Sequence, residues 1–306
     1  MRRLSLTLPP RLARHATVLL LAAGLDACGV SSPTPPGGDL PAQPQAVSPV
    51  GNQQVTSDSP TFTVRNARGY DAGQATYTFR LITGSGKEIA GVSVPAGSGT
   101  TVAAFAGALP RSMTLSWVAT ARGSMGEVSS APAQFRTVTV ACLSGRDAYA
   151  KSVVDSFLPA CSLANNRYND PREVLGPPDA GVLASGLFFG FMSLGEKGYV
   201  TVDMESCAVD QAGPDVRVFQ SVGMEPVTLY AAGSPMGPFL LLESRKECGT
   251  RLPGVFSRYC DFDLAAGEVQ EARYFRIEDG EIFPCPGDTD SEGADIDAIQ
   301  IIHQRP

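Results

Sequence analysis

MTLSWVAT, residues 113–120, carries apolar side chains at Met113, Leu115, Trp117 and Ala119, alternating with hydroxyl-bearing Thr114, Ser116 and Thr120. A period of two with β-branched or small polar partners is the pattern of a half-buried strand, one face on a core and the other in water. The same period recurs upstream. Tyr77, Phe79 and Leu81 alternate with Thr76, Thr78 and Arg80, and Phe62 and Val64 alternate with Thr61, Thr63 and Arg65. The stretches between these runs are rich in turn formers: residues 69–73 read GYDAG, 84–86 read GSG and 96–99 read AGSG. Short strands at this spacing predict a small β-sandwich over 46–140. In such a fold Trp117 belongs to the core rather than to a ligand surface.

The runs SPVGNQQVTSDSPTFTVRNA, TYTFRL, LSWVATARG and APAQFRT together resemble the fibronectin type III and Ig-like repeats of bacterial surface proteins, and they cover nearly all of this segment. After Val140 the composition changes, with denser acids and six cysteines. Tyr149, Val153 and Phe157 at i, i+4, i+8 favour a short helix within 144–158, with an edge strand at SVVDSF as the alternative. Strands are expected at 199–204, 215–219, 227–230, 239–242, 273–277 and 296–302. The ordered fragments DAYAKSVVDSF, NDPREVLGPPDA, FMSLGEKGYVTVDM, GPDVRVFQ, EPVTLYAAGSP, FDLAAG, ARYFRIEDG and GADIDAIQI resemble a bacterial cell-surface family built on the galactose-binding, discoidin-like jelly roll. That resemblance implies a jelly-roll sandwich for 141–306, and the fold expected for the whole is all-β with two sandwich domains.

The amino terminus reads differently. Arg2, Arg3, Arg11 and Arg14 precede the apolar run ATVLLLAAGL at 16–25, which is too short to span a bilayer and has the layout of a signal peptide. Leu25, Asp26, Ala27 and Cys28 resemble the lipobox of bacterial lipoproteins, which implies cleavage after residue 27 and acylation of Cys28. An ordinary signal-peptidase cut nearby is the alternative, because Asp26 departs from the pattern. From 28 to 45 the chain is Pro-rich and poor in apolar bulk, a composition that stays extended and acts as a tether.

Seven cysteines are an odd number for an exported chain. Giving Cys28 to a lipid leaves Cys142, Cys161, Cys207, Cys248, Cys260 and Cys285, an even set suited to three disulfides. Short separations favour Cys142 with Cys161 and Cys248 with Cys260, leaving Cys207 with Cys285. Removing residues 1–27 takes four Arg and one Asp from 24 basic and 31 acidic residues, so the mature chain carries a net charge of about −10. A surface this acidic argues against nucleic acid as a partner.

Nucleophilic catalysis normally needs a histidine beside the nucleophile, and the mature chain has only His303. The expectation is therefore a non-catalytic module, anchored to the cell envelope by its lipid and binding a glycan, another surface polymer or a surface protein. A structural or adhesive envelope lipoprotein and a carboxylate-based hydrolase are the alternatives. Sugar binding would call on exposed aromatics, and Tyr168, Phe188, Tyr230, Phe239, Phe256 and Tyr259 are the candidates. Acids gather towards the end of the chain. A structural calcium ion is expected from Asp170, Asp179, Asp295 and Asp297, as the jelly-roll resemblance implies. The runner-up is the compact loop with Asp288, Asp290 and Glu292 at positions 1, 3 and 5 before Gly293. A solvated acidic hairpin is the competing reading.

Overall fold

The computed structural model describes residues 42–159, 168–195, 197–221, 225–280 and 293–306. Cys28, Cys161, Cys285, Asp288, Asp290 and Glu292 lie outside them, as does the expected signal peptide.

Nine strands build the first sandwich: β1 (Gln45–Ser48), β2 (Gln53–Gln54), β3 (Thr61–Arg65), β4 (Ala75–Ile82), β5 (Glu88–Pro95), β6 (Thr100–Ala104), β7 (Thr114–Gly123), β8 (Gly126–Ser129) and β9 (Ala133–Arg136). One sheet runs β1-β3-β6, the other β2-β9-β7-β4-β5 with β8 added on β7. The alternation does what the sequence predicts. Phe62, Tyr77, Phe79, Leu81, Leu115, Trp117 and Phe135 are fully buried between the sheets. Trp117 anchors this core, as expected: Phe62 meets its ring edge-on at 5.5 Å, Phe79 stacks on it at 5.8 Å, and its indole N–H donates to Pro49 O at 2.7 Å. The last bond satisfies the one polar atom that burying a Trp leaves exposed to loss.

The second sandwich contains β10 (Ser152–Phe157), β11 (Gly181–Val182), β12 (Phe188–Phe189), β13 (Met192–Ser193), β14 (Tyr199–Val209), β15 (Val216–Gln220), β16 (Val227–Ala232), β17 (Leu240–Lys246), β18 (Thr250–Arg251), β19 (Arg258–Phe262), β20 (Glu271–Asp279) and β21 (Asp295–Ile301). Two five-stranded antiparallel sheets face each other, β10-β14-β20-β16-β17 and β13-β21-β15-β19-β18. Val200, Val202, Leu229, Phe275 and Ile277 of the first meet Val216, Val218, Ile296, Ile299 and Ile301 of the second.

Residues 152–157 form a strand, not the short helix that Tyr149, Val153 and Phe157 favour. Val153 and Val154 are β-branched, and pairing with β14 satisfies backbone groups that an isolated two-turn helix would leave to water. The cysteines are also joined differently. Cys248 bonds Cys260 as expected, but Cys142 bonds Cys207, 65 residues away, in place of the expected Cys161; Cys207 is thereby withdrawn from Cys285. The cause is a break in the β14–β20 register between Asp203 and Ala208, where Glu205 has φ 58°. The incoming chain docks on that irregular stretch through Leu143 N–H to Glu205 O at 2.8 Å, and Arg273 holds Ala141 O at 2.8 Å. Proximity in space, set by this kink, outweighs proximity in sequence.

The sandwiches are joined by more than the chain. Ser112 Oγ donates to Glu271 Oε2 at 2.8 Å and accepts from Val140 N–H at 2.8 Å. Ser85 donates through its hydroxyl and its amide to the Glu268 carboxylate, and Leu240 packs against both cores.

Candidate functional site

One irregularity in β21 organises a loop-bearing end of the second sandwich. Opposite β15, Phe219 pairs with Ala298 but Gln220 pairs with Ile296, so Asp297 is an extra residue in the ladder. Such a bulge re-aims a side chain. Asp297, 1% exposed, accepts from Asp179 N–H at 3.0 Å and from Ala180 N–H at 3.3 Å on Oδ1, while the Ser257 hydroxyl donates to Oδ2. Burial pushes its carboxyl up to about 6 against these donors. One carboxylate therefore fixes two loops.

Both loops carry exposed aromatics. Ala180 leads into the β11–β12 hairpin, whose residues 182–189 are all exposed. Its tip turns through Gly186, with Gly186 N–H donating to Leu183 O and Leu183 N–H to Leu187 O. Phe189 lies over Gly181, where a Cβ would come within 2.9 Å of its ring, and Gly190 at φ 74° closes the return, since a Cβ there would lie 2.9 Å from Ala180 Cα. Phe188, 36% exposed, meets Phe256, 36% exposed, at 6.3 Å; Phe256 directly precedes Ser257. Tyr168 stacks on Phe191 at 4.4 Å, held by Ser193 N–H to Tyr168 O at 2.8 Å. Beside these rings lies an open cleft of about 400 Å³ whose lining includes Tyr168, Asp170, Glu173, Asp179, Phe188 and Phe189.

The four residues named for calcium are only partly gathered here, and their side chains do not form one oxygen cage. Asp170 caps the short turn Pro171–Val174 and is gripped by Arg172 through Nε at 3.0 Å and Nη2 at 2.6 Å; that hydrogen-bonded guanidinium, with the Arg172 amide, holds its carboxyl down at about 2. Asp179 is exposed in the cleft. Asp297 is engaged by loop donors. Asp295 sits one register step away beside Ser193, 3% exposed, and burial pushes it up to about 8 with Glu225 adding to the rise. Among the described residues the carboxylates that do converge are Asp210, Asp215 and Asp263, whose oxygens lie within 4.8 Å of one another. Asp215 is fully buried there and takes Leu264 N–H at 2.9 Å and His303 Nδ1 at 2.9 Å, so it acts as an internal brace for the chain around β21.

Of the aromatic candidates, Tyr168, Phe188 and Phe256 meet at this loop end. Tyr230 on β16, Tyr259 on β19 and Phe239 just before β17 are half-buried: Arg276 covers Phe239 at 4.4 Å and Arg217 covers Tyr259 at 3.8 Å. The sequence pattern alone does not mark Phe189 or Glu173 as site residues. The signal was there in LFFGF at 187–191, an apolar run between glycines too short to be a core strand.

No family model matches this sequence. No curated protein matches it either. Among solved structures, it is similar to the FN1–FN3 domains of chicken CNTN1, with a TM-score of 0.21 and 16% identity over 77% of this chain and 65% of that one. It is also similar to the secreted serine protease VesC from Vibrio cholerae, with a TM-score of 0.25 and 11% identity over 84% of this chain and 50% of that one. The chain spans less than two thirds of either structure.

Proposed function

We propose that the chain is an exported, envelope-tethered, non-catalytic binding module for a glycan or other cell-surface polymer, with the loop end of the discoidin-like second sandwich as its recognition surface. The observation that carries the reading is the cluster of Phe188, Phe189 and Phe256, exposed at 36%, 42% and 36%, beside an acid-lined cleft. Exposed rings held by a rigid scaffold offer stacking faces for pyranose rings, and the carboxylates that line the cleft accept from their hydroxyls. The disulfides fit an oxidising compartment, and the Cys28 lipobox supplies the anchor. A glycan array probed with the mature chain, residues 28–306, tests this. Binding that disappears in Phe188→Ala and Phe256→Ala supports it. An array with no signal, or signal unchanged in both variants, removes the loop end as the site. The join between the sandwiches favours the second reading, a structural or adhesive lipoprotein, which predicts the silent array.

A further inference from the structure

The charge of the cleft points to its ligand class: we infer that it takes a saccharide whose ring carries a protonated amine, a deacetylated amino sugar. This rests on the proposed recognition surface and adds the chemistry of what that surface selects. Three carboxylates line the cleft, Asp170, Glu173 and Asp179. The one cation in the turn beside them, Arg172, is already forked onto Asp170 at 2.6–3.2 Å. Among the described residues neither Glu173 nor Asp179 forms an ion pair, and the buried Asp297 lies directly behind the Asp179 amide at 3.0 Å. Among the described residues the cleft therefore holds negative charge that no cation matches, next to aromatic faces at Phe188 and Phe189.

That pairing discriminates among sugars. Aromatic faces attract the C–H face of any pyranose, so they select weakly. A ring quadrupole attracts an ammonium group, and nearby carboxylates accept charge-assisted hydrogen bonds from it. A neutral N-acetylated ring would keep the stacking and lose the charge term, whereas a uronic acid would be repelled.

The test uses the mature chain and two probes of equal length, an oligomer of glucosamine and an oligomer of N-acetylglucosamine, titrated by calorimetry at pH 6 in low and high salt. The expected result is about tenfold tighter binding of the free-amine oligomer, the effect of one charge-assisted contact. That preference should vanish in high salt and in Glu173→Gln and Asp179→Asn. Both variants keep the backbone bonds of their loops, since Asp179 holds Asp297 through its amide and not its side chain. Phe188→Ala should weaken both oligomers alike. Equal affinities for the two oligomers, or a preference for the acetylated one, overturn the inference while leaving the recognition surface intact. Binding of neither also overturns it, and the array with Phe188→Ala then decides separately whether the surface itself stands.

Discussion

Replacing Cys142 and Cys207 together by alanine opens a ring of 65 residues, whereas replacing Cys248 and Cys260 opens one of 12. In the chain-entropy account, a crosslink stabilises by restricting the unfolded chain, and its effect grows with the logarithm of the ring size. The long ring then contributes about 4.3 kcal/mol and the short one about 2.8 kcal/mol at room temperature. Alanine leaves small cavities at Cys207, Cys248 and Cys260, each 5% exposed or less, and a smaller one at the half-buried Cys142, so cavity cost adds no more to the long-ring variant than to the short-ring one. Urea unfolding followed by circular dichroism reads the difference. With a slope of about 2 kcal/mol per molar urea, the long-ring variant should lose about 2 M in its midpoint and the short-ring variant about 1.4 M. Trp117, the only tryptophan, lies in the first core, so its fluorescence reports that sandwich separately. If opening Cys142–Cys207 shifts the midpoint less than opening Cys248–Cys260, the assigned pairing or the entropic reasoning is wrong.

Asp295 gives a pH test: its folded carboxyl stands at about 8 against an unfolded value of 3.8, so the native state retains a proton that the unfolded chain releases. Its contribution is fully present below about pH 4 and falls by about 1.4 kcal/mol per pH unit up to about pH 8; Asp295→Asn in chelator should flatten that fall, and parallel profiles for the two proteins would refute it. Asp203→Ala strands the Arg273 guanidinium, 17% exposed and paired at 2.6 and 2.7 Å, and should cost about 3–5 kcal/mol in urea unfolding, with much of that recovered in Asp203→Ala/Arg273→Met. With Cys142–Cys207 and Cys248–Cys260 closed and Cys28 acylated, the count leaves Cys161 with Cys285; non-reducing peptide mapping that finds either as a free thiol contradicts it. Cys28→Ser should move the protein from the membrane to the soluble fraction, and a membrane-bound variant would sink the lipid anchor.

Period two made the first sandwich readable from residues alone. TYTFRL and MTLSWVAT specify which side chains go inward, and Tyr77, Phe79, Leu81, Leu115 and Trp117 are all buried. Segment 152–157 misled because Tyr149, Val153 and Phe157 satisfy a helical spacing by coincidence, while the partner strand that decides the matter lies some distance along the chain. Asp295 and Asp297 were conspicuous as acids on an apolar strand, and that conspicuousness suggested ligands. The bulge that turns Asp297 onto the 179–180 amides depends on the register of three strands, which no local pattern records. The loop end is half visible in the sequence: Tyr168, Phe188 and Phe256 are aromatic candidates there, but only the hairpin geometry shows that Phe188 and Phe256 converge while Tyr230, Phe239 and Tyr259 are half-buried.

β21 lies between β13 and β15 in the interior of its sheet, although it follows every other strand in sequence. Synthesis from the amino end delivers residues 45–136 first, and every strand of the first sandwich is then available for pairing. The second sandwich has its β10-β14-β20-β16-β17 sheet complete by Asp279, but its other sheet is split between β13 and β15-β19-β18 by a gap that only residues 295–301 fill. Until they arrive, Met192, Val216 and Val218 face solvent, and long-range closure of this kind is slow compared with local pairing. The first sandwich can therefore close on its own residues early, whereas the second closes only once residues 295–301 are present. In the interval the unpaired edges of β13 and β15 are the part of the molecule most open to non-native pairing.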